Sequence, residues 1–293
     1  MKTPLFKGVA TALYTPFTQN GVDFESLEKL IDRQLNAKID CLVLLGTTGE
    51  SPTVTEEERL QLISFAVKKI KGKVPLLVGT GSNDTKRAIE LTKQAKSLNA
   101  DGALIVTPYY NKCEQDGLYA HYEAISNQTS FPFVLYNVPS RTGVNIEPKT
   151  LNKLKNLECV LGIKEASKDK NQIEEIFKIA NNDIAIYCGN DELNFDFLQR
   201  GSSGFISVAS NVIPLKIKDI YGDFINNYEN KSFENHIRLD KFYRALFSKV
   251  NPIPIKAMAQ ILYGGNRYVR LPLTPANEED LIYYKNILDE VIK

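Results

Sequence analysis

The chain has 293 residues, 43% of them hydrophobic, with 36 Lys plus Arg against 35 Asp plus Glu. That length suits one large α/β core, and the near-balance of charge leaves no basic field to attract nucleic acid or an anionic membrane, so a small-molecule substrate is expected. The opening MKTPLFKGVATALYTPF breaks its apolar residues with Pro4, Gly8 and Pro16, so it reads as neither a signal peptide nor a membrane span and a cytoplasmic protein is expected.

Taken in chain order, the pattern alternates between strand and helix. Residues 9–14 form a short apolar, β-branched run, and 24–37 then carry apolar residues at helical spacing. The alternation continues with strands at 41–45, 76–80, 103–107, 133–138, 161–164, 184–188 and 205–208. Helical patterns lie between them, among them 56–70, 85–98 and 173–180. Thr55 followed by Glu58 predicts a capping box for the second helix, and Asn83 or Asp84 is placed to cap the third. The runs are continuous rather than alternating, as strands buried on both faces require.

Eight such strands could close into a barrel or lie open as a doubly wound sheet. No GxGxxG follows the first strand, and the count favours a closed (β/α)8 TIM barrel over residues 1–212. Beyond 212 the strand pattern stops. Helical segments at 216–228, 233–247, 255–262 and 278–291 follow without a Gly/Ser-rich linker, which predicts a C-terminal helical appendage, 213–293, packed on the barrel.

Cys41, Cys113, Cys159 and Cys188 are far apart with no CxxC spacing, so reduced thiols are expected. The two histidines, His121 and His236, are too few for a His-cluster metal site and read as packing or surface residues. No metal or organic cofactor is expected.

In a barrel the chemistry sits at the C-terminal ends of the strands. Four of those ends are unusually polar: Gly46-Thr47-Thr48-Gly49-Glu50-Ser51, Thr107-Pro108-Tyr109-Tyr110-Asn111, the stretch from Tyr136 through Arg141 to Gly143, and Lys164-Glu165-Ala166-Ser167. Lys164 follows Leu161-Gly162-Ile163, so its stem should lie among apolar side chains, which disfavours the charged ammonium. A neutral amine at the barrel mouth is a nucleophile for imine formation. From position alone, a lysine that snorkels to solvent or pairs with Glu165 remains an alternative. Gly46 to Gly49 offer backbone N–H groups and two hydroxyls to a small carboxylate, or a plain turn. Tyr136 ends the strand before that of Lys164, where its phenol could carry protons during carbinolamine formation, or simply pack. Arg141 could fork onto a substrate carboxylate or lie idle on the surface. Tyr109-Tyr110 read as aromatic anchors at an interface or as site residues.

Together GTTGES, TPYYN, YNVPSRTG and GIKEAS, in this order and spacing, resemble the dihydrodipicolinate synthases. The likeness runs through nearly the whole chain, including Gly189-Asn190-Asp191 and residues 204–208. The resemblance implies that Lys164 forms an imine with pyruvate. It implies that Thr47, Tyr136 and Tyr110 relay protons, with Tyr110 reaching into a neighbouring subunit's site, and that the enamine attacks aspartate semialdehyde. It also implies that Thr48 with Thr47 holds the pyruvate carboxylate, that Arg141 receives the second substrate's carboxylate, that Gly189 and Ile206 line the pocket, and that the assembly is a homotetramer of tight dimers. Lysine-inhibited members present histidines after GTTGES and an acidic residue near position 87. Ser51, Asn83 and Tyr109 match that regulatory set, but Glu56 and Arg59 stand at the histidine positions and Arg87 at the acidic one, so weak or absent lysine feedback is expected. Two relatives in the same superfamily, N-acetylneuraminate lyase and 2-keto-3-deoxy-sugar acid aldolase, share the lysine and tyrosine. The sialic-acid lyases typically carry Ser-Thr in place of Thr47-Thr48, and both usually lack the arginine found here at 141. A non-catalytic keto-acid sensor is opposed by the filled catalytic positions.

Overall fold

The computed structural model describes residues 2–180 and 183–292. Eight parallel strands close into a barrel: β1 (Gly8–Ala12), β2 (Cys41–Leu44), β3 (Leu76–Gly79), β4 (Gly102–Val106), β5 (Phe133–Asn137), β6 (Val160–Glu165), β7 (Ala185–Cys188) and β8 (Gly204–Ser207). Each strand pairs with its sequence neighbours, and β8 returns to β1 through Gly8 opposite Gly204. This is the expected (β/α)8 barrel, ringed by helices.

Two apolar sets follow from the strand alternation. Ala10, Val43, Leu77, Leu104, Val134, Tyr136, Tyr187 and Ile206 fill the barrel interior, while Val9, Leu42, Leu44, Val78, Leu135, Ile163 and Phe205 face the helices. The β2 run stops at Leu44 rather than 45 because Leu45 adopts φ 58°, which turns the chain out of the sheet. A two-stranded hairpin, Phe17–Thr18 with Gly21–Val22, was not foreseen, its strands being too short for a periodic signal.

The helices begin where the caps predict. Helix Glu56–Ile70 carries the full Thr55/Glu58 capping box, and Asp84, not Asn83, caps Thr85–Ser97. Helix Pro214–Ile225 packs on β1, and Lys218 pairs with Asp40 at 2.8 Å. The pattern at 233–247 is not one helix but two, Glu229–Ile237 and Asp240–Leu246. The turn between them runs through Arg238 and Leu239, where ψ relaxes from −21° to 1°. Helices Ile253–Tyr263 and Glu278–Ile292 complete the chain and pack against each other. No helix among the described residues is long and apolar enough to cross a membrane.

Candidate active site

The site is built from strand ends. Register places Lys164 of β6 directly between Tyr136 of β5 and Tyr187 of β7. Both tyrosines belong to the barrel interior, so Lys164 points inward with them. Lys164 is 5% exposed, and its Nζ lies 4.3 Å from the centre of the Tyr136 ring. No hydrogen-bond acceptor or carboxylate partners that amine among the described residues.

The alternative partner, Glu165, points to the opposite face, as its neighbouring position on the strand requires. There its carboxylate accepts from Asn137 Nδ2 at 2.9 Å and from the Ser167 N–H at 2.6 Å, while Asn137 Oδ1 accepts the Ile146 N–H at 2.9 Å. Burial pushes the Glu165 carboxyl above its ordinary range, and these donors oppose the shift. The cluster cross-links the ends of β5 and β6, one residue beyond Tyr136 and Lys164. It therefore holds that pair in register.

Gly189 follows β7 and backs the lysine. A Cβ there would lie 2.7 Å from Ala166 Cβ and 3.0 Å from Lys164 Cε, so any side chain would displace the lysine stem. Asp191 then accepts the N–H groups of Val208 and Ala209, each at 2.9 Å, and ties the turn after β7 to the turn after β8. Burial raises its carboxyl too, against those same donors.

The mouth encloses a cavity of about 420 Å³ whose wall includes Thr47, Thr48, Tyr136, Arg141, Lys164 and Gly189. Arg141 extends from the short helix Pro139–Thr142 and is exposed, with no carboxylate bound to it among the described residues. Ile206 is fully buried in the barrel interior and is not part of this wall. Tyr110 is not in the cavity of its own chain: it is 90% exposed, with φ 72°. A large aromatic held outward in a left-handed conformation is uncommon.

A second, larger cavity of about 570 Å³ shares Thr47, Tyr136 and Arg141 with the first and includes Ser51, Glu56, Arg59, Arg87 and Tyr109. Asn83 is not part of its wall; its carbonyl accepts from Asn111 Nδ2 at 2.9 Å. Arg59 is buried, donating to the Gly79 carbonyl at 2.9 Å and to Ser51 Oγ at 2.8 Å. Burial, with the charge of Arg87 adding to it, brings its guanidinium down to about 10. Arg87 instead bonds Glu56 at 2.6 Å, an acid that this contact holds below its usual range.

Two further residues went unnoticed in the sequence. Asn251, from the C-terminal region, lies in the wall of both cavities and donates to Thr48 Oγ1 at 3.0 Å. Asn251 precedes a proline between two helices, and no local pattern signals a contact 203 residues away. Lys256 is 2% exposed and pairs with Glu50 of GTTGES, and also donates to the Tyr268 carbonyl at 2.8 Å. Here a signal existed, since a lone lysine within the apolar Ile253–Tyr263 helix demands a buried partner. The other Glu50 oxygen accepts the Arg270 N–H at 3.0 Å, and the Arg270 side chain bonds Glu58.

The histidines are packing residues. His121 Nδ1 lies 2.9 Å from Thr85 Oγ1, with burial pushing the imidazole down to about 4, and His236 stacks on Phe195. All four cysteines are free thiols. Among the described residues, no group of three or more His, Cys, Asp or Glu is placed to hold a metal ion.

A family model described as the dihydrodipicolinate synthetase family matches residues 5–291. The chain is 46% identical to the 4-hydroxy-tetrahydrodipicolinate synthase of Alkaliphilus oremlandii over 289 residues, 99% of each chain. The crystal structure of dihydrodipicolinate synthase from Thermotoga maritima superimposes with a TM-score of 0.96 at 43% identity, covering 98% of this chain and 99% of that one. The chloride-inhibited dihydrodipicolinate synthase of Acinetobacter baumannii, solved with pyruvate, gives a TM-score of 0.94 at 37% identity over 97% of this chain and 98% of its own. With the family model matched almost from end to end and these relatives covering nearly all of the barrel and its C-terminal helices, the chain belongs to the dihydrodipicolinate synthetase family.

Proposed function

We propose that the chain is a lyase that condenses pyruvate with aspartate semialdehyde to give 4-hydroxy-tetrahydrodipicolinate, a step of diaminopimelate and lysine biosynthesis. The observation that carries this reading is the Lys164 amine, buried in the cavity wall against Tyr136 and bonded to no carboxylate among the described residues, in a chain of this family. The Lys164 amine adds through its nitrogen to the keto carbon of pyruvate, and the carbinolamine loses water to leave an imine. The imine draws electrons from the neighbouring methyl group, which loses a proton and becomes an enamine carbon. That carbon bonds to the aldehyde carbon of the second substrate, whose oxygen takes up a proton. The amino group of the same substrate then attacks the imine carbon, closes the ring and releases Lys164.

Each remaining role follows from position. Tyr136 carries protons beside the amine together with Thr47 and with Tyr110 of a neighbouring chain. The 90% exposure and left-handed backbone of Tyr110 suit a residue whose partner surface belongs to another copy, within a homotetramer of tight dimers. Thr48 with Thr47 holds the pyruvate carboxylate, Arg141 offers its exposed guanidinium to the carboxylate of the aldehyde, Gly189 leaves room for the lysine stem, and Ile206 closes the barrel interior at the pocket. No bound cofactor is required, because the protonated imine is itself the electron sink. Residues 1–212 act as the catalytic barrel and 213–293 as the helical region that braces it, through Asn251 on Thr48 and Lys256 on Glu50. A cytoplasmic location is proposed for the chain, as for a biosynthetic enzyme of this family.

A substrate panel tests the reading. Pyruvate with aspartate semialdehyde should give the heterocyclic product, while N-acetylneuraminate and 2-keto-3-deoxy-sugar acids should not be cleaved. Cleavage of either sugar acid, with no product from aspartate semialdehyde, contradicts the reading.

A further inference from the structure

We propose that Asn251 is a positioning residue for the keto-acid substrate: its amide fixes the Thr48 hydroxyl as a donor aimed at the substrate carboxylate. The inference rests on the reading that Thr48 meets that carboxylate, and adds a residue to it from the far end of the chain. Thr48 is 2% exposed and Asn251 6%, so neither is reoriented by bulk water. A hydroxyl has one proton and two lone pairs. Because Asn251 Nδ2 donates to Thr48 Oγ1 at 3.0 Å, one lone pair is taken and the hydroxyl proton must find an acceptor elsewhere. Thr48 lies with Lys164 in the wall of the same cavity, and a bound carboxylate supplies that acceptor.

The local geometry supports the same assignment. Asn251 Oδ1 is buried with no donor among the described residues, so Thr48 is the amide's hydrogen-bond partner there. The contact also joins the turn after β2 to the segment leading into helix Ile253–Tyr263. That helix is anchored two residues beyond the threonine by Lys256 on Glu50. The position of Asn251 is therefore set by a buried ion pair rather than by a flexible loop.

The test measures steady-state kinetics and thermal unfolding of Asn251→Ala, Asn251→Asp, Thr48→Val and the Asn251→Ala/Thr48→Val pair. Loss of one oriented, charge-assisted hydrogen bond predicts a KM for pyruvate raised roughly threefold to tenfold in Asn251→Ala, with kcat and the KM for aspartate semialdehyde within about twofold of the parent. Asn251→Asp turns the donor into an acceptor, consumes the hydroxyl proton and should raise the pyruvate KM further. In the Thr48→Val background, Asn251→Ala should add no further penalty. An Asn251→Asp variant with an unchanged pyruvate KM would mean that the amide accepts from Thr48, and overturns the proposal. So does an Asn251→Ala penalty that persists undiminished without the threonine hydroxyl. Borohydride trapping of pyruvate on Lys164 in the same variants separates the two readings: an absent adduct in the parent sinks the imine mechanism, whereas an intact adduct with unchanged KM values sinks only the role of Asn251.

Discussion

Lys164 and Lys256 are buried to nearly the same degree, 5% and 2% exposed, yet they are in opposite situations. Lys256 sits mid-helix with a carboxylate and a carbonyl on its ammonium, and with Phe17 4.5 Å away. Lys164 sits at a strand end, with an aromatic face beside it, a cavity before it and no carboxylate bonded to it among the described residues. Burial alone therefore does not mark a reactive lysine. An amine whose charge is matched has a structural task, while one left unmatched at the edge of an enclosed space is available for covalent chemistry.

Exchanging the two roles should fail in different ways, and the largest effect is on activity. Lys164→Ala should lower kcat by about 10³-fold or more while leaving the melting temperature close to the parent's. Substantial residual turnover would show that the imine is not required. Lys256→Met should do the reverse, costing about 3–5 kcal/mol of stability by leaving Glu50 buried and unpaired. Combining it with Glu50→Gln should recover most of that loss in denaturant unfolding, and no recovery would refute the pairing as the cause. Burial also brings Lys256 down to about 8 from its ordinary 10.5, although Glu50 opposes the shift. Between these values the unfolded chain binds the extra proton, so this contribution to stability is fully present above about 10.5 and is lost as pH falls through about 8. Lys256→Met should remove that slope.

A smaller effect is expected at Arg141, which like Lys164 has no carboxylate bonded to it among the described residues but lies at the rim. Arg141→Ala should raise the KM for aspartate semialdehyde roughly 10-fold to 100-fold and spare that for pyruvate. Equal effects on both substrates would argue that the guanidinium shapes the pocket instead. The smallest effect concerns the larger cavity. Among the described residues Arg59 is a buried cation with no carboxylate bonded to it, and the nearby acid Glu56 is already taken by Arg87, which opposes binding of a lysine ammonium there. Submillimolar lysine should leave the rate nearly unchanged, and half-maximal inhibition in that range would reverse this conclusion.

Much of the framework was legible in the sequence because parallel barrel strands are continuous apolar runs whose polar residues collect at one end. Lys164 and Tyr136 stood out for that reason, and register then set them side by side. The break at Leu45 was not legible, since a leucine with φ 58° is imposed by the turn around it rather than by its own preference. Nor was the division of the helical stretch after residue 228, where apolar spacing runs on through the bend at Arg238. In the site, Asn251 stayed hidden because its partner is decided by tertiary packing, whereas Lys256 was readable as a charge that an apolar helix must match.

The contrast between the two buried lysines comes to a single measurement. Borohydride reduction of the parent protein in the presence of pyruvate, followed by peptide mass mapping, should place one covalent adduct on Lys164 and none on Lys256. An unmodified Lys164, or an adduct distributed over other lysines, would contradict the account.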